Sequence, residues 1–152
     1  MGESDIIDLS EKPELMEKCY AIYRGAKYSE KTIEFIKNNI HSEMTLLEIR
    51  NLCEAKMMEL GADSFWYWDV GAFVFSGDET TVSVSGTEYV TSDKIIDEND
   101  IVTIDLSPQN NNIWGDYART IIIQDGTVAE TENINMVLCQ DLVQVKMRFS
   151  PS

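Results

Sequence analysis

The stretch Ile101–Ile123, IVTIDLSPQNNNIWGDYARTIII, decides how the chain is read. Two apolar runs, IVTIDL and IWGDYARTIII, flank a polar segment, SPQNNN. Isoleucine and valine crowd both runs, as strands prefer. Proline fixes φ and asparagine tolerates left-handed backbone, so the segment between the runs is a reversal. The predicted unit is an antiparallel hairpin whose side chains alternate between two faces. Each run carries one carboxylate, Asp105 in the first and Asp116 in the second.

A hairpin symmetric about Asn110–Asn111 sets Asp105 directly across from Asp116, with Cβ atoms about 5 Å apart. Thr103 and Thr120 share their face, and Ile104, Leu106 and Tyr117 take the other. Like charges directly opposed in a ladder destabilise it. Three devices relieve the conflict. One carboxyl can take up a proton. A basic side chain can neutralise the pair, although alternation aims the nearby Arg119 at the opposite face. A divalent cation can bridge the acids, since hard oxygen donors suit such ions. The plainer alternative is an exposed hairpin tip in a different register, with both acids in water. Spacing alone leaves these readings open.

Upstream, helical periodicity runs from Ser10 to about Asn39 through Leu15, Cys19, Ile22, Tyr23, Ala26, Ile33, Ile36 and Ile40. Gly25 marks a kink or a close contact in it. TLLE at Thr45–Glu48 is a capping box, and Gly61 stands where a C-terminal cap belongs, so a second helix spans Leu46 to Leu60. The pattern then turns to β. AFVFS and TVSVS are short strand candidates after the aromatic SFWYW, and QDGT is a turn. From Thr131 to about Lys146, Ile134, Val137, Leu138, Leu142 and Val145 fall on one helical stripe, a third helix. The expected fold class is α+β, a single domain over residues 1–152, with two N-terminal helices packed on an antiparallel-rich sheet and a C-terminal helix.

The formal net charge of −15 argues against nucleic acid or an anionic membrane as partner, because phosphate binding needs clustered Lys and Arg. No apolar run approaches the ~20 residues that span a bilayer. The polar, acidic start MGESDIIDLS lacks the features of a secretory or mitochondrial leader. Cys19, Cys53 and Cys139 are odd in number and lie on apolar helical positions, so they read as buried thiols of a cytoplasmic protein. With one histidine, His41, no Ser-His-Asp constellation is available, and no phosphate-binding glycine motif is present.

Asn99-Asp100-Ile101-Val102, Ile104-Asp105, Gly115-Asp116 and Arg119-Thr120 together resemble the central segment of the methionine aminopeptidase, aminopeptidase P and creatinase superfamily, whose fold is called pita-bread. The interval between the two aspartates is also the family's. The resemblance covers about Leu9 to Val145, the N-terminal half of a duplicated domain. It implies that Asp105 and Asp116 are metal ligands, the second bridging two divalent ions such as Mn, Co, Fe or Zn, which activate water against a peptide bond. The family's second half supplies a His and two Glu ligands that this chain does not match. A His-Gly that contacts substrate in the family is replaced here by Ser85-Gly86. The resemblance therefore implies a metal-dependent, aminopeptidase-like domain that is incomplete, and weak or inactive as this chain alone. It assigns no catalytic residue and leaves the substrate-binding residues unknown. Truncation, a homodimer or a separate second-half subunit would account for half a fold. The alternative function is a non-catalytic pita-bread module that binds a peptide or protein partner, with Phe65-Trp66-Tyr67-Trp68, Phe73 and Phe75 as a recognition surface.

Overall fold

The computed structural model describes residues 9–130. A 3-10 turn at Leu9–Glu11 leads into α1 (Pro13–Lys37), which starts with proline at its first turn, where the missing N–H costs nothing. α2 (Leu46–Leu60) is bounded as its sequence requires. The Thr45 hydroxyl accepts from the Glu48 N–H, the Glu48 carboxylate accepts from the Thr45 N–H, and Gly61 closes the helix at φ 125°.

Seven strands follow: β1 (Ser64–Phe65), β2 (Ala72–Ser76), β3 (Asp100–Leu106), β4 (Pro108–Asn110), β5 (Ile113–Trp114), β6 (Tyr117–Gln124) and β7 (Thr127–Val128). They form a four-stranded sheet ordered β2-β3-β6-β7 and a three-stranded sheet ordered β1-β4-β5, with every pairing antiparallel. Both helices lie on one face of the larger sheet. Ala72, Val74, Val102, Ile104, Leu106, Ile121 and Ile123 from that face join Ile33, Ile36, Leu46, Ile49, Cys53 and Met57 in one core. The α+β architecture with two helices on antiparallel sheets is as the sequence led us to expect.

The central hairpin reverses at Asn111–Asn112, both in left-handed backbone, between Asn110 and Ile113. Two residues of positive φ suit a two-residue hairpin, and asparagine accepts that conformation. The connection after α2 holds this turn in place. Asp63 accepts from the Asn111 N–H at 2.9 Å, which keeps its carboxyl below the usual range, and Asn110 Nδ2 donates to the Gly61 carbonyl at 2.5 Å.

Four expectations need correction. The reversal is centred one residue later than Asn110–Asn111, so Asp105 pairs with Ala118 rather than Asp116. IWGDYARTIII is two strands, broken at Gly115–Asp116, rather than one. TVSVS is no strand: Gly77–Thr81 winds into a 3-10 turn and Val82–Ser85 carries no regular structure. The outer edge of β2 is already occupied, because the Tyr89 hydroxyl accepts from the Val74 N–H at 2.9 Å and donates to the Val74 carbonyl at 3.3 Å. Finally, Cys53 is buried but Cys19 is exposed, along with most of the N-terminal half of α1. The expected third helix and Cys139 lie outside the described residues. No helix among the described residues is long and apolar enough to cross a membrane.

Candidate functional site

Alternation along β3 sends Ile104 and Leu106 into the core and Asp105 to the face away from the helices. Its ladder neighbours are Phe73 on β2 and Ala118 on β6. Asp116 lies two residues before Ala118, so it occupies the diagonal position on the same face. The small Ala118 leaves the space through which the two acids meet. Both side chains line the same cleft, close enough for the Asp116 charge to act on the Asp105 carboxyl.

The break before β6 positions Asp116. Gly115 donates its N–H to the Pro108 carbonyl at 2.8 Å, and its own carbonyl accepts from Trp66 Nε1 at 2.7 Å. Trp66 also stacks on Trp114, with ring centroids 4.7 Å apart. A Cβ on Gly115 would sit 3.7 Å from the Gly25 backbone, so these two glycines mark the close approach of hairpin and α1. Backbone bonds on both sides of Gly115 thus fix where the following carboxylate starts.

An open cleft of about 600 Å³ covers the acids. Tyr67, Phe73, Phe75, Val82 and Val84 form its apolar wall, and Thr103, Thr120, Asp105 and Asp116 supply polar groups. Crowding by this wall, and then the neighbouring Asp116 charge and hydrogen bond, push the Asp105 carboxyl up from 3.8 to about 6. The side chain still reaches solvent through the cleft mouth, so partial rather than complete desolvation is at work. Arg119 does not relieve the pair. It lies on the helix side with its guanidinium 3.9 Å from the Tyr117 ring centroid and donates to the Ala118 carbonyl.

Two adjacent carboxylates offer hard oxygen donors of the kind that divalent ions take. Among the described residues no cluster of three or more His, Cys, Asp or Glu suited to a metal occurs, so the donor set here is two carboxylates. His41 is exposed beside the β6–β7 turn, bridged to Thr127, and is not part of the cleft. Ser85, too, is absent from the cleft; its hydroxyl meets Thr87, and Gly86 packs beneath Tyr67 and Trp68. The sequence reading missed Val82, Ser83 and Val84 as cleft wall, because their alternation imitates a strand. It also missed Trp66 as the anchor of Gly115, for which the local sequence holds no signal across 49 positions.

The chain is similar in fold to several solved structures. Prolidase from Pyrococcus horikoshii OT3 superposes with a TM-score of 0.66 at 20% identity, over 87% of this chain and 35% of that one. Xaa-Pro dipeptidase from Bacillus anthracis gives 0.62 at 24% identity, over 71% and 28%. X-Pro aminopeptidase from Thermotoga maritima MSB8 gives 0.61 at 24%, over 71% and 28%. This chain thus spans about a third of the length of the structures it matches. Among curated proteins none matches the sequence. The sequence pattern of Metallopeptidase family M24 matches residues 21–143, most of the chain. By that match, and with a partial pita-bread fold around the paired aspartates, the chain belongs to Metallopeptidase family M24.

Proposed function

We propose that Asp105 and Asp116 are this chain's contribution to a divalent-metal centre for peptide-bond hydrolysis, and that the centre is incomplete in this chain alone. The observation that carries the reading is the meeting of two carboxylates on the floor of an apolar cleft, without a basic side chain between them. When bound, a divalent ion would supply positive charge and Lewis acidity towards water and a peptide carbonyl. The chain's own residues do the rest. Phe73 and Ala118 flank Asp105 and hold it at the floor. Trp66 and Pro108 hold Gly115, which sets the starting point of Asp116. Tyr67, Phe75, Val82 and Val84 narrow the water layer over the acids and offer an apolar contact for a peptide side chain.

Two carboxylates bind a transition ion weakly when the remaining ligands are missing. A second copy or a separate subunit carrying further ligands would complete the site, and activity of the isolated chain would be weak or nil. The names of the similar structures make Xaa-Pro peptides the first substrates to assay. Cytosolic residence belongs to the same reading, since Cys19 and Cys53 are unpaired thiols.

The test is titration of the chain with Mn, Co, Fe(II) or Zn, followed by calorimetry and thermal shift. The expected result is binding in the micromolar-to-millimolar range that Asp105→Asn abolishes. Absence of heat and of any thermal shift at millimolar metal would exclude metal chemistry for this chain. A second reading, a non-catalytic binding module, draws on Trp68 and Trp114, which are 63% and 56% exposed beside the cleft. A metal-blind monomer by light scattering would favour it.

A further inference from the structure

The alternating TVSVS of residues 81–85 is strand-like sequence without a ladder. Val82 has extended backbone, φ −87° and ψ 134°. Its N–H donates to the Glu79 carbonyl at 3.0 Å, but among the described residues no hydrogen bond reaches the N–H or C=O of Ser83 or Val84. The segment cannot join β2 at Val74, whose two main-chain groups are held by the Tyr89 hydroxyl. Both of its ends are nonetheless fixed. Upstream, the Thr80 and Thr81 hydroxyls donate to the Gly77 and Asp78 carbonyls at 2.7 and 2.9 Å. Downstream, the Glu88 N–H donates to the Ser85 carbonyl at 2.9 Å, and Gly86 packs so closely that a Cβ would lie 2.7 Å from Trp68 Cδ1. Residues 82–85, about 13 Å of chain when extended, thus form a strap between fixed points with open main-chain groups.

Val82 and Val84 line both a hollow of about 190 Å³ against Val74 and Tyr89 and the cleft that holds Asp105 and Asp116. Ser83 lines the cleft but not the hollow. Unpaired main chain on the wall of a cleft is what an extended peptide recognises when it adds itself as a strand. We propose that residues 82–85 are the docking edge for an extended peptide, which pairs with the main chain of Ser83 and so crosses the cleft over the two aspartates. In an antiparallel pair, one peptide residue exchanges both N–H···O bonds with Ser83. Val82 and Val84 supply apolar contacts on either side of that bond pair. The recognition reads conformation rather than side chains, and it rejects proline at the paired position, where the N–H is missing. A strap already fixed at its ends loses little freedom when the peptide arrives. The proposal deepens the peptide-hydrolase reading above: it rests on the cleft receiving a peptide, and not on the acids binding metal.

The test is an NMR titration of the intact, isotope-labelled chain with the peptide Ala-Thr-Val-Thr-Ala, carried out in chelator. The expected result is a dose-dependent shift of the Ser83 and Val84 amide signals, with their hydrogen exchange slowed at least about tenfold at saturation. Ser83→Pro removes the N–H. It suits the extended Val82 that precedes it and breaks no hydrogen bond among the described residues. It should weaken the peptide at least about fivefold. The same peptide N-methylated at its central residues should bind the parent chain at least about fivefold more weakly too, and this comparison decides alone if Ser83→Pro does not fold. Undiminished affinity in either comparison overturns the proposal, as does the absence of any shift at 82–85 with about 10 mM peptide. Chelator keeps the two readings apart. Failure of metal binding leaves these shifts expected as before, and failure of pairing leaves the metal titration untouched.

Discussion

The two faces of β3 are built from alternating residues and obey different rules. Val102, Ile104 and Leu106 face the helices and are fully buried in the core. Thr103 and Asp105, one position away, face an open cleft, and Asp105 meets a second carboxylate. One face gains free energy from burial, and the other holds two groups that repel. The strand is held in register by the first and is thereby able to keep the second in place. Folding and chemistry are thus separable by parity along seven residues.

The sharpest way to break this comparison is to damage the core side alone. Ile104→Ala should cost about 2–5 kcal/mol, seen as a lower urea midpoint at unchanged slope. A loss below about 1 kcal/mol would mean that the helix face does not carry the strand. Next comes Gly71→Ala, at the connection into β2. A Cβ there would lie 2.6 Å from Glu54 Cγ and 2.7 Å from the Phe65 ring. The Glu54 carboxylate, which accepts from Gly71 N–H and pairs with Arg50 at 2.8 Å, would have to move. We expect a loss of about 1–3 kcal/mol, measurable in the same unfolding experiment. Thr45→Ala removes one half of the capping box and should cost about 1 kcal/mol, with α2 amides exchanging faster.

The smallest effect has the opposite sign. In the folded chain Asp105 ionises near pH 6, against an ordinary 3.8. Between those values the folded state binds more protons than the unfolded state. Stability from this group therefore falls as pH rises from about 4 to 6, and the deficit is fully present above 6. Asp105→Asn should remove the deficit, giving a higher melting temperature than the parent chain at pH 7 in chelator. The open cleft screens the pair, so the gain should stay below about 1 kcal/mol. At pH 4 the two chains should melt together. Divalent-metal affinity should weaken below pH 6, where the proton competes for Asp105. Equal melting curves at pH 7, or metal binding indifferent to pH, would contradict the account of the cleft.

Which residues share a face was legible in the sequence; which residues are partners was not. Moving the turn centre by one position shifts every cross-strand partner by two, so the faces survive while Asp116 moves from opposite Asp105 to the diagonal. The turn centre itself depends on Asp63, 48 positions from Asn111, which no local pattern announces. α2 was readable because its capping box and Gly61 are local chemistry. TVSVS misled because alternation shows only that a strand is possible, whereas pairing needs a free edge. In α1 the period revealed the helix, yet burial follows from what packs against it, and Cys19 lies where no described neighbour does.

The bond from Tyr89 to both backbone groups of Val74 has one more consequence. It seals the margin of the sheet at β2, so a newcomer strand finds no donors or acceptors at that point. On the far margin, among the described residues, β7 shields Ile123 and Gln124 by strand pairing and the Ala129 N–H covers the Ile122 carbonyl. Among the described residues, main-chain donors and acceptors are thus more open beside β6, next to the aspartates, than at Val74 on β2.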